Sequence, residues 1–384
     1  MLRKKTLSFP HHTLSGKEAS GIAKIQPPQI YQELANSPHE VVSRLEQRNV
    51  ARILYIHGTF AGNDLTGIAR NLSRISPLLT RRLQLDRTLK EWSKRGVDTI
   101  SGSQGNFPEA YVTQVNQFLQ AGHLDSLSDP IQASRFAWSG ENHHLGRLHG
   151  ALSLHQTLTD LNRDLKADQR VLIFAHSHGG NLLALLTLLS DADSQIKRKL
   201  IRHLSASPTD AQGQPTSSNL ATLVNSCTEL PDIDIVTLGT PLRYRWSQSQ
   251  QRRLIHVINH QVVFKEDPHR TAFPNLLKPL DLTGLGDIIQ QLGIGGSDFP
   301  PTILTPSERK QEKKLSKILE SSVRRKDYFK KLNFGRRESC DGESILLDYR
   351  EIEPSEAPKL FGHAVYTLER LIPFHLALAS MELN

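Results

Sequence analysis

The chain of 384 residues carries 47 Lys and Arg against 39 Asp and Glu, a formal charge of +8, and is 38% hydrophobic. Two widely separated cysteines, Cys227 and Cys340, argue against a disulfide framework, and no run reaches the ~18 apolar residues of a membrane span. The opening MLRKKTLSFPHH is basic but lacks the apolar core of a secretory signal, so the expected compartment is cytoplasmic, with signal-independent export left open. A basic balance favours anionic contacts such as phospholipid headgroups, nucleic acid or acidic substrates.

Residues 1–50 read as an N-terminal extension, polar around Pro27-Pro28 and then helical over 31–47. From Ala51 the texture changes, and 51–384 read as one domain. Apolar runs at 52–56, 134–138, 171–175, 233–238, 254–258 and 344–349 have the length of strands. Several lack alternation, as strands covered on both faces do. Helical periodicity lies between them, at 145–165 and 181–189, and a closing helix is expected over 366–381, interrupted or kinked at Pro373. Alternating strands and helices predict an α/β fold with a mostly parallel sheet and helices on both faces.

Two insertions break the rhythm. Residues 61–133 hold an amphipathic stretch from Ile68 to Trp92, either a lid or a core-packing helix. Residues 265–340 end in a basic run over 309–337 that includes Leu315 and Leu319. That run is either a basic amphipathic helix touching anionic lipid or a solvated helix neutralised by Glu308, Glu312, Glu320 and Asp327. No nucleic-acid recognition module accompanies it.

The sharpest signal is residues 170–186, RVLIFAHSHGGNLLALL, in which a strand runs into Ala175-His176-Ser177-His178-Gly179 and an apolar helix follows. This resembles the G-x-S-x-G nucleophile elbow of the α/β hydrolases, in the A-H-S-x-G form of lipases and esterases, with Ala175 a departure from the first Gly. The resemblance implies that Ser177 is a nucleophile on a strained turn and that the His178 N–H faces a developing oxyanion. A helix-capping Ser177 is the plainer alternative. His176 and His178 have metal-pair spacing, but the Gly179-Gly180-Asn181 that follows offers no further ligand, so neither metal nor organic cofactor is expected.

His57-Gly58-Thr59-Phe60 resembles the loop that carries the second oxyanion donor, the N–H of Thr59 or Phe60. The family order of Ser, acid, His assigns the base to His363, after the last strand, with His375 a rival inside the closing helix. The acid is Asp287, in a Gly-Asp-x-Ile turn, or else Asp267 in Lys265-Glu266-Asp267-Pro268, with Asp287 preferred. Leu238-Gly239-Thr240-Pro241 resembles a lipase turn, Trp138 reads as a core residue, and His143-His144 as a solvated loop pair.

The resemblance implies an α/β-hydrolase fold that cleaves carboxylic esters, acyl lipids or phospholipids foremost, through a Ser-His-Asp triad and an acyl-enzyme. The partners it implies are a small-molecule or lipid ester and the periphery of an anionic membrane, without nucleic acid. The other reading keeps the fold as a non-catalytic binding protein for a membrane or protein partner. Oligomeric state is not legible in the sequence.

Overall fold

The structure is a computed structural model and describes residues 22–59, 106–124, 129–205, 218–227, 230–241, 243–247, 253–270, 286–296, 306–319, 341–357 and 362–383. Its strands are β1 (Ile22–Ile25), β2 (Val50–Ile56), β3 (Gln132–Phe136), β4 (Arg170–His176), β5 (Ile233–Leu238), β6 (Leu254–Asn259) and β7 (Glu343–Leu347). They form one sheet in the order β1-β7-β6-β5-β4-β2-β3, with every neighbouring pair parallel. The helices described are α1 (Gln29–Ala35), α2 (Pro38–Gln47), α3 (Glu109–Gly122), α4 (His144–Arg163), α5 (Gly179–Ser190), α6 (Gln195–Ser205), α7 (Ser218–Ser226), α8 (Ile288–Gly296), α9 (Pro306–Ile318) and α10 (Ile372–Glu382).

Strand alternation divides the core in two. Leu172 and Phe174 of β4 face a layer built with α1, α2, α3 and α10, while Val171, Ile173 and Ala175 face a layer built with α4, α5, α6, α7 and α9. Successive side chains of a strand point to opposite faces, so an unbroken apolar run serves both layers. Each such Val, Leu, Ile or Phe, once buried, contributes roughly 1.5–3 kcal/mol. All five of these β4 side chains are fully buried.

The sequence set residues 1–50 apart, and the described part of that segment contributes to the sheet and core. β1 lies parallel to β7, and Tyr31, Val41, Val42 and Leu45 are buried in the core. The single helix expected over 31–47 is two, because Pro38 cannot continue a helix and instead opens the second one. Pro373 behaves alike. The segment after His363 runs as two short 3-10 turns, and α10 begins at Ile372 with Pro373 in its first turn, so proline starts the closing helix rather than kinking it.

The amphipathic stretch 68–92, and with it the lid reading, lies outside the described residues. At the end of that insertion α3 packs on α2 and β3. Of the basic run, α9 is described, resting on α4 and α6. Among the described residues no helix is long and apolar enough to cross a membrane.

Candidate active site

The turn between β4 and α5 carries Ser177 at φ +51°; with Asn49, it is one of the two non-glycine residues at positive φ among the described residues. Asn tolerates this region through its short polar side chain, whereas Ser held there costs about 1–3 kcal/mol and needs support from its surroundings. That support comes from the end of β5. The Ser177 N–H donates to the Leu238 carbonyl (2.9 Å), and the Thr240 hydroxyl donates to the Ser177 carbonyl (2.8 Å). The neighbouring glycines are required by contact: a Cβ on Gly179 would stand 2.7 Å from the His57 oxygen, and one on Gly58 would stand 2.7 Å from the Ser177 Cβ.

His178 precedes the first turn of α5, and its Nδ1 accepts from the Asn181 amide (3.0 Å). Asn181 also donates to the Pro241 carbonyl and accepts the Arg243 N–H, so Pro241 and Arg243 are both tied to the start of α5. Thr59 is buried at the end of the His57-Gly58 loop; Phe60 lies outside the described residues.

That loop is clamped by a residue whose part the sequence did not reveal. The Trp138 N–H donates to His57 Nε2 (3.1 Å), which leaves the ring proton on Nδ1 to donate to the Gly58 carbonyl (2.7 Å). The Trp138 indole N–H donates to the His57 carbonyl (2.8 Å). Burial pushes His57 below the ordinary histidine value, in keeping with a neutral ring. The one sequence signal for this clamp was an aromatic residue just after β3.

His363 and Asp287, 76 residues apart, meet at the end of β6. The His363 Nδ1–H donates to Asp287 Oδ2 (2.8 Å), and the carboxylate is fully buried. Its other partners are the Tyr366 hydroxyl, donating to the same oxygen (3.0 Å), and the Gln290 N–H, donating to Oδ1 (2.8 Å), so Asp287 caps α8 as well. The backbone is pinned to match. Asn259, the last residue of β6, accepts the Asp287 N–H (2.8 Å), gives its own N–H to the Tyr366 oxygen (2.7 Å) and gives its side-chain amide to the Gly362 carbonyl (3.0 Å). Tyr366 was not singled out from the sequence. Burial first, and then the Asp287 charge, push its phenol well above the ordinary tyrosine value, so it stays a donor at any working pH.

His176, beside Ser177, joins the two halves. Its Nε2–H donates to the His363 carbonyl (3.3 Å), and the two rings lie 4.7 Å apart. Ser177, His176 and His178 are all at most 3% exposed. Asp267 lies in the turn before Arg270, half-buried, its carbonyl accepting the Arg270 N–H. His375 is buried in α10, paired with the Tyr349 hydroxyl (2.9 Å), and burial pushes it down to about 3.

The expectation that His143-His144 is a solvated loop pair is wrong, for both are buried. His143 Nδ1 accepts the Gly146 N–H as the cap of α4, and His144 Nδ1 bonds the Tyr244 hydroxyl. Glu312 of α9 accepts the N–H groups of His144 (2.6 Å) and Leu145 (3.2 Å). Burial pushes that carboxyl up, but His143, the His144 N–H and charge, and the Arg147 charge outweigh it and hold it below the ordinary glutamate value. Among the described residues no group of three or more His, Cys, Asp and Glu is arranged to hold a metal ion.

Chemically, the arrangement provides a serine on a strained strand-to-helix turn and, across His176, an imidazole oriented by a buried carboxylate. The fold defines the chain as an α/β protein with an all-parallel seven-stranded sheet. Comparison with protein-family models, with curated proteins and with solved structures found no match.

Proposed function

We propose that the chain is a serine hydrolase of the α/β-hydrolase type that cleaves carboxylic esters, with acyl lipids or phospholipids as its substrate class. The observation that carries this reading is the His363–Asp287 pair at the end of β6, its imidazole 4.7 Å from the ring of His176, the neighbour of Ser177 at φ +51° after β4. The strand order supports it, since one strand, β5, lies between those two ends and its own terminal turn braces Ser177. The net charge of +8 supports an anionic lipid as substrate.

In this reading Ser177 Oγ attacks the ester carbonyl while His363 takes the hydroxyl proton on Nε2, its Nδ1–H being held by Asp287. The carbonyl π electrons move to oxygen, where the N–H of His178 and that of Thr59 or Phe60 stabilise the oxyanion. The oxyanion collapses, the bond to the leaving alcohol breaks, and His363 returns its proton to that alcohol. Water then attacks the acyl-enzyme with the same base, releasing the acid and restoring Ser177. Asp287 orients the imidazole and stabilises its charged form.

The test is labelling of the purified protein with a fluorophosphonate probe, the adduct located by mass spectrometry. An adduct on Ser177, missing in Ser177→Ala, is the expected result, together with a fall in kcat of roughly 10⁶-fold in that variant on any ester that turns over. Folded protein that takes no label and hydrolyses no ester sinks the reading in favour of a non-catalytic binding protein.

A further inference from the structure

α6 and α9 lie against one another and share one side of the core, with Leu200 and Leu204 of α6 and Leu315 and Leu319 at α9 buried in the same cluster. Their outward stripes are cationic. α6 exposes Arg198, Lys199 and Arg202, and α9 exposes Arg309, Lys310, Lys313, Lys314 and Lys317. Positions three and four apart share a helix face, so each set forms one continuous stripe.

Among the described side chains of the two helices, no carboxylate lies outward with these stripes. α6 contains no Asp or Glu. On α9, Glu312 is buried and committed to the first N–H groups of α4, so its charge faces inward while the lysines around it face out. The two stripes are close enough that burial and the Lys314 charge together push His203 of α6 below the ordinary histidine value.

We propose that the joined faces of α6 and α9 are a docking surface for an anionic lipid membrane. Five of the eight exposed cations are lysines. A lysine ammonium is a compact charge on a flexible stem, suited to a diffuse sheet of headgroup charge, whereas Arg forks grip individual phosphates. Nucleic-acid surfaces also use aromatic rings to stack bases, and neither helix contains Phe, Tyr or Trp. The surface stands on charge and packing alone, independent of the esterase reading.

The experiment is co-sedimentation of the full chain with phosphatidylcholine vesicles, with and without phosphatidylserine, at low and high salt. The wild type is expected to bind only the phosphatidylserine vesicles and to weaken at least about tenfold as salt screens the charges. The triple variant Lys199→Glu, Lys313→Glu, Lys317→Glu, with an unchanged thermal melt, is expected to bind at least about tenfold less. Arg44→Glu, on α2 in the opposite layer, is expected to bind as wild type does. No binding at low salt, or equal binding by the triple variant, overturns the proposal. So does a DNA duplex that binds the wild type more tightly than the vesicles do and loses its hold on the triple variant. Ser177→Ala run in parallel keeps docking and hydrolysis separate, because sedimentation needs no turnover.

Discussion

Ser177 and Asp287 stand at the carboxyl ends of β4 and β6 and reach those positions by different routes. Ser177 is delivered by its neighbours in sequence, a strand of seven residues ahead and a helix of twelve behind. Asp287 leaves the end of β6 with the chain at Asn259 and returns 28 residues later, pinned there by its N–H to the Asn259 carbonyl and by the Tyr366 hydroxyl. A turn can set the conformation of one residue by local stereochemistry, whereas a carboxylate brought back over such an excursion is held by side chains from elsewhere. Ser177 is therefore held by its own turn together with the end of β5, and Asp287 by Asn259, Tyr366 and Gln290.

The sharpest way to break that comparison is to remove each carboxylate in turn. Asp287→Asn is expected to lower kcat on a turned-over ester by about 10⁴-fold, and Asp267→Asn to leave it within about twofold; steady-state kinetics on both variants reads the difference. Equal losses would mean that the excursion delivers two acids and that the pairing with His363 does not select one.

Gly239 tests the room Asp287 needs. It sits at φ +60°, and a Cβ there would stand 2.4 Å from the Tyr366 ring and 2.6 Å from Asp287 Oδ2. Gly239→Ala is expected to cost about 2 kcal/mol in urea unfolding, from the positive φ and the overlap together.

Tyr366→Phe is gentler, keeping the ring and deleting the hydroxyl, which donates to Asp287 and accepts the Asn259 N–H. The expected result is a fall in kcat of about tenfold with KM little changed, since an interaction that orients the acid acts on the transition state. An unchanged kcat in folded protein would reduce Tyr366 to a packing residue.

His375, the other histidine near the C-terminus, bears on stability rather than on turnover. Its folded value of about 3 lies below the ordinary 6.5, so the unfolded chain takes the proton first as pH falls. Stability from this site is therefore complete above about pH 6.5 and is lost toward pH 3 at roughly 1.4 kcal/mol per pH unit. Denaturation midpoints measured across that window should fall less steeply in His375→Leu than in the wild type.

Much of the fold was legible because its signals are local. Apolar runs of strand length marked β2 to β7, and the join of β4 to α5 marked Ser177 before any contact was known. The first strand was not legible: the four residues of β1 carry no pattern of their own and become a strand only by pairing with β7. The clamp of Trp138 on His57, and the burial of His143 and His144 at the start of α4, were likewise hidden, because each depends on a partner far away in the chain.

By itself the sequence determined the alternation of strands and helices, the strained turn at Ser177 and the identity of two candidate acids. All of these follow from side-chain periodicity and backbone stereochemistry over a few residues. Only the tertiary structure decided that Asp287 is the one bonded to His363, that Tyr366 braces it, and that Glu312 turns inward and leaves the α6–α9 face cationic. Those outcomes depend on where long excursions return and on which buried polar groups need partners, and a buried carboxylate goes where several donors converge, whatever the distance along the chain.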